Sequence, residues 1–122
     1  MSAAEVGNKL VDMVREGRNL DAINELYADD VVSVEAMDPP EGQREVHGAD
    51  AVRAKNQWWA EQHEVHDASV GGPFPHGDDR FAVHYKYDVT FKAGDQRYSM
   101  EEVGLYSVAD GKVVREEFFY SM

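Results

Sequence analysis

The sequence predicts an α+β domain in which three helices come first and a curved antiparallel sheet follows. Three observations carry this. Two segments with apolar residues three and four apart open the chain, and a third, made of good helix formers, holds both tryptophans. From Phe81 onward the apolar period drops from 3.6 to 2. The 122 residues fit one domain, residues 1–122, because two cores of half that size would each be too small to stabilise themselves.

Ser2-Ala3-Ala4-Glu5 has the form of a capping box, and Val6, Leu10, Met13 and Val14 follow at helical spacing. The first helix is expected from about Ala3 to Glu16, with Gly17 as its stop. Asn19 can cap a second helix whose Leu20, Ile23, Leu26 and Tyr27 form one stripe, ending at Ala28-Asp29-Asp30. Val31 to Glu35 is β-branched and short, and the two prolines in Met37 to Gly42 then require a loop. His47 to Asp50 leads into a third helix, Ala51 to His63, with Val52 and Trp59 on one side and Ala51 and Trp58 beside them. Gly71 to Gly77 has the composition of a turn.

Beyond it Phe81, Val83, Tyr85, Tyr87, Val89 and Phe91 alternate with Arg80, Ala82, His84, Lys86, Asp88 and Thr90. The apolar face is expected to turn inward, because the helices must bury their stripes on something. Turns at Ala93 to Asp95 and Ala109 to Gly111 return the chain as strands Arg97 to Val108 and Val113 to Tyr120.

Composition narrows the function. Hydrophobic residues at 43% and charged residues at 30% make an ordinary globular mix. Lys and Arg number 12 against 24 Asp and Glu, and a net charge of -12 repels phosphate backbones and anionic membranes, so neither nucleic acid nor a membrane is expected as partner. The absence of cysteine excludes disulfides, thiolate metal sites and cysteine nucleophiles. Met1 to Lys9 has no basic segment leading into an apolar run, and a cytoplasmic protein is the expectation. No Gly-x-Gly-x-x-Gly, Walker loop or Gly-x-Ser-x-Gly occurs, which points to action without a cofactor. His63 and His66, three apart at a helix end, could join Asp67 or His76 on a metal, but the order matches no zinc-protease motif, and no metal is expected.

The run Leu26-Tyr-Ala-Asp-Asp-Val-Val-Ser-Val-Glu35, then His47-Gly-Ala-Asp-Ala-Val52 opening a helix, then Asp110-Gly-Lys-Val-Val-Arg-Glu-Glu-Phe-Phe-Tyr120, resembles the SnoaL-like family of the nuclear transport factor 2 (NTF2-like) superfamily. The resemblance implies a cone, a bent sheet wrapped around three helices with a pocket at its open end, dimeric through the sheet. Relatives of this kind include polyketide cyclases, ketosteroid isomerases and limonene epoxide hydrolases, so fold alone does not name the chemistry. The tyrosine that ketosteroid isomerases use as oxyanion donor is matched by Leu10, which argues against steroid isomerisation. Their general base follows the first strand, where Asp38 stands as a displaced counterpart. The Arg and Asp of the epoxide hydrolases resemble Lys86 and Asp88, but their second aspartate falls at Phe118.

The last hairpin supplies a separate argument. Ala109-Asp-Gly111 suits a type I turn closed by a left-handed glycine bulge, which would set Val108 opposite Lys112, Gly104 opposite Glu116 and Glu102 opposite Phe118. Glu102 and Glu116 would then be diagonal neighbours roughly 7 to 8 Å apart. On a concave face they would form an acid/base pair, since burial and mutual repulsion raise carboxyl pKa values. On a solvated face they would merely keep an edge soluble. The candidate catalytic residues are therefore Glu102, Glu116 and Asp38, and the candidate pocket is Trp59, Tyr85, Tyr87, Met100, Tyr106, Phe118 and Tyr120. These residues suit an apolar carbonyl or cyclic compound handled by a cofactor-independent isomerase, cyclase or hydratase. The alternative is a non-catalytic ligand-binding or dimerisation module. The expected partners are an apolar small molecule and a second copy of the chain.

Overall fold

The computed structural model describes residues 1–38 and 43–120. Helix α1 (Ala3–Arg15) opens with the expected capping box, Glu5 N–H donating to Ser2 Oγ and Ser2 N–H to Glu5 Oε1, each at 3.2 Å. Its stripe of Val6, Leu10, Val11 and Met13 is buried. Gly17, at a φ of 76°, turns the chain into helix α2 (Asn19–Leu26). Asn19 is the first residue of that helix rather than its cap, and Arg18 precedes it without a capping side chain.

Tyr27 leaves the helical stripe to begin β1 (Tyr27–Val34), because pairing with the last strand takes over there. A three-residue strand, β2 (Glu45–His47), lies antiparallel against the far end of β1 and is too short to leave a sequence signal. Residues 39–42 of the expected loop lie outside the described residues. Helix α3 (Ala49–Gln62) leads directly into three long strands, β3 (His63–His76), β4 (Arg80–Phe91) and β5 (Gln96–Ala109). The last strand is β6 (Lys112–Phe119).

The sheet order is β2-β1-β6-β5-β4-β3. It is mixed rather than purely antiparallel, because β1 runs parallel to β6. Such a pair needs a long crossover, and α3 with β3 to β5 supplies it. The expected turn at Gly71 to Gly77 is also corrected. Residues 71–76 stay in β3, and Gly71-Gly72-Pro73 forms an irregularity between the pairs Gly71↔His84 and Phe74↔Ala82. A bulge on an edge strand tolerates glycine and proline where a central strand would not.

The apolar face of β4 does turn inward. Phe81, Val83, Tyr85 and Val89 are buried, the first three in one core with Leu10, Leu26, Val31 and Val52. A β-carbon at Gly7 would stand 3.0 Å from Pro73 and 3.1 Å from the Phe81 ring, so this glycine lets α1 settle closely onto β3 and β4.

The last hairpin differs from expectation in a way that matters for the site. Asp110 and Gly111 both have positive φ, 53° and 75°, which makes a two-residue turn of the type I′ form. It pairs Ala109 with Lys112, and the extra residue falls in β6, where Val114 is passed over between Val108↔Val113 and Ser107↔Arg115. Beyond the bulge the net slide is two residues, so Glu116, Phe118 and Tyr120 keep their face, whereas before it the slide is one and the buried Val113 takes the inward place expected of Lys112. Tyr106 now opposes Glu116, and Gly104 opposes Phe118.

A β-carbon at Gly104 would lie 2.9 Å from the Tyr106 ring and 3.1 Å from the Phe118 ring. Gly104→Ala is therefore expected to destabilise the protein by about 1 to 3 kcal/mol in urea unfolding. The modest gain that alanine brings to an unstrained strand would instead show that both rings are free to move.

Candidate acid/base site in the cone

On β1, Val31 and Ser33 are buried, and Glu35 continues their alternation one step beyond the strand. From α3, Lys55 stands between Val52 and Trp59 on one face of the helix. Its Nζ donates to Ser33 Oγ at 2.7 Å and to Glu35 Oε1 at 2.8 Å. Tyr120, just past β6, donates to Glu35 Oε2 at 3.1 Å. Ser33 Oγ in turn donates to Glu116 Oε2 at 2.6 Å, and the Tyr27 hydroxyl donates to Glu116 Oε1. Tyr27, Ser33, Lys55, Glu35, Tyr120 and Glu116 thus form one hydrogen-bonded chain linking β1, α3 and β6.

The two glutamates expected as a pair have different surroundings. Glu116 is 2% exposed, and each of its oxygens already has a donor. Burial pushes its carboxyl up against the opposing pull of Lys55, Ser33 and Tyr27. Glu102 lies two inward-facing rows away, beyond the Gly104–Phe118 pair, so the two are not diagonal neighbours. It faces Tyr85 across β4 and borders an open cavity of about 580 Å³ at the end of β5, whose wall is shared between the inward-facing Tyr98, Met100 and Tyr120 and the outward-facing His84, Glu101, Val103 and Phe119. Its pKa is raised to about 7, first by burial, then by the charges of Glu35 and Glu116, with Lys55 opposing. Among the described residues no hydrogen bond contributes to that balance.

The other expected residues divide. Met100 and Tyr120 join Glu102 at its cavity, and Phe118 lies under Lys55, its ring centre 5.6 Å from Nζ. Tyr106 is fully buried, stacked on Phe81, its hydroxyl paired with that of Tyr85. Both are part of the core, and burial pushes both phenols well up. Trp59 and Tyr87 line a separate cavity of about 500 Å³ between α3, the α1–α2 turn and β3. Asp38 is exposed, and the carboxylate that enters the network just after β1 is Glu35. His63 stands at the helix end as the C-cap of α3 and opens β3, and His66 lies within that strand. His63 Nδ1 is 2.8 Å from the Trp59 carbonyl, so the proton is on that nitrogen, and Nε2 can accept from Tyr98 at 3.0 Å.

Sequence reasoning missed Tyr27, Ser33, Glu35 and Lys55. The signals were present: Ser33 and Glu35 fall on the inward parity of Val31, and Lys55 is a charge inside the Val52–Trp59 stripe.

The SnoaL-like domain family matches residues 1–120. The chain belongs to the SnoaL-like family. A Mesorhizobium loti protein, provisionally named a SnoaL-like polyketide cyclase with carbohydrate phosphatase given beside that name, is 45% identical. The match covers 98% of this chain and 100% of that one, with a TM-score of 0.91. A Bacillus subtilis protein provisionally named an isomerase shares the fold at 15% identity and a TM-score of 0.76, over 98% of this chain and 86% of its own. A provisionally named polyketide cyclase of Pseudomonas putida does so at 17% and 0.74, over 100% and 93%. No curated protein matches. Like its relatives, this SnoaL-like chain is an α+β cone, and among the described residues no helix is long and apolar enough to cross a membrane.

A raised carboxyl has a stability consequence. Folded Glu102 keeps its proton up to about pH 7, whereas an unfolded glutamate loses it near 4.5, so the folded state binds more protons between those values. Stability therefore falls as pH rises through that window, by on the order of 3 kcal/mol at most. Glu102→Gln removes this loss. The variant is expected to match the parent near pH 4.5 and to melt higher above pH 7, and a parallel pH dependence of the two melting curves would refute the shift.

Proposed function

We propose that this SnoaL-like protein is a cofactor-independent acid/base catalyst that moves a proton on an apolar carbonyl or cyclic compound, with Glu102 as the group that takes and returns it. The observation that carries this reading is a single carboxyl on the inward face of β5 at the wall of an open cavity, accepting no hydrogen bond from the described residues, with its pKa pushed up to about 7 first by burial. A base poised near the working pH removes a proton and gives it back with little bias, which isomerisation and cyclisation through an enolate both need. Glu116 fits the part of shuttle partner poorly, because both its oxygens are occupied by Tyr27 and Ser33. It serves instead as a buried anchor.

The test is deuterium incorporation from D₂O into a panel of cyclic ketones and 1,3-diketones. Removal of a general base costs roughly 100-fold or more, so Glu102→Gln is expected to lose exchange by at least that factor. In the parent the rate should rise with pH and level off above about 7, where Glu102 is ionised in the company of Glu35, Glu116, Lys55, Tyr87 and Tyr120. Exchange that survives Glu102→Gln unchanged would end the proposal.

The protein is further proposed to work as a homodimer through the outer face of the sheet. Val103 and Phe119 are direct cross-strand partners there, 38% and 49% exposed, and also border the cavity at Glu102, so a second copy would close over its outer side; Phe74 is 55% exposed. Large apolar side chains grouped on a sheet face favour contact with a second copy. Light scattering is expected to give twice the chain mass of 13.7 kDa, falling to 13.7 kDa for Phe119→Glu. A parent mass of 13.7 kDa would overturn the dimer.

A further inference from the structure

Lys55 is placed as no surface lysine is. Its side chain is only 23% exposed, it lies above the Phe118 ring, and two of its three N–H groups are committed to Ser33 Oγ and Glu35 Oε1. Among the described residues the third has no acceptor. Glu35 connects it to Tyr120, which borders the Glu102 cavity, and the charges of both Lys55 and Glu35 act on the Glu102 carboxyl.

Geometry on the far side explains why the lysine stays there. Ser33 accepts from Lys55 and passes its own proton toward Glu116, whose second oxygen is held by Tyr27. Without Ser33 and Glu116 the ammonium would keep only Glu35 and could swing out along its flexible stem. With them it is fixed from both sides before any ligand arrives, which is the condition for stabilising developing charge at little reorganisation cost.

We propose that Lys55 is the catalytic oxyanion donor of this site, with Ser33 and Glu116 as its positioning residues; the proposal rests on the acid/base reading of Glu102. When the Glu102 carboxylate takes a proton from carbon, the C–H electron pair becomes the enolate double bond and the carbonyl oxygen gains the negative charge. The free Lys55 N–H donates to that oxygen. Return of the proton from Glu102 to a second carbon closes an isomerisation with no co-reactant. The ligand class is thus a carbonyl compound whose oxygen meets Lys55 while an acidic C–H meets Glu102.

The test uses 4-nitrophenol as a stand-in for the enolate, because its anion is distinguished from its neutral form by absorbance. Bound to the parent, it is expected to ionise about one pH unit or more below its value in solution. Lys55→Met should abolish that shift and Ser33→Ala should reduce it, with melting temperatures recorded to show that both variants fold. Glu116→Gln, which keeps partners for Tyr27 and Ser33, should reduce it as well. An equal shift in parent and Lys55→Met, or no absorbance change at saturating phenol, overturns the assignment. Deuterium exchange measured on the same preparations separates the two readings. Exchange that depends on Glu102 alongside a phenol indifferent to Lys55 removes only the oxyanion donor, whereas exchange indifferent to Glu102 removes the acid/base reading itself.

Discussion

The buried carboxylate of Glu116 is the constraint around which the cone is arranged. An ionisable group this deep is costly unless its oxygens are hydrogen-bonded, and the donors come from Tyr27 and Ser33 at separate points of β1. Meeting both requires β1 to lie beside β6, so the polar network and the parallel β1–β6 pairing are one requirement seen twice. Lys55 extends the requirement to α3, which must cross the sheet where its ammonium reaches Ser33. A strand, its parallel neighbour and the covering helix are thus held in register by polar contacts, and the apolar core of Leu10, Val52, Phe81 and Val83 fills the space they define.

Most of the fold was legible because periodicity reports burial. The stripe of α1 and the alternation of β4 are both seen in the structure with the expected faces inward. What failed has a common cause: local composition yields to long-range pairing. Gly71-Gly72-Pro73 looks like a turn but is carried as an irregularity by an edge strand paired to β4, and Tyr27 looks helical but is recruited by β6. The parallel β1–β6 pair could not be seen at all, since no local signal records which strands become neighbours after a crossover.

The site was legible in part for a related reason. Reading Ala109 to Gly111 with the wrong turn moved the register by one and the bulge at Val114 moved it by one more, and since side chains alternate with period two, Glu102, Glu116 and Phe118 stayed on the concave face while their neighbours changed. Face was therefore recoverable and adjacency was not. Glu35 and Lys55 escaped because a charged residue on an inward position reads as noise until its partner is known, and the partners lie on different elements, 20 residues apart.

The two rims of the sheet have a consequence of their own. One rim is β2, three residues long, and the other is β3, whose ladder to β4 is interrupted between Val65 and Asp67 and again between Gly71 and Phe74, with Pro73 lacking an amide hydrogen. Neither presents a long straight row of free backbone groups to an incoming strand, although Val65 and Phe74 are exposed along β3. Both rims therefore offer poor templates for lateral addition of a further strand, which guards a chain this rich in long strands against edge-to-edge aggregation.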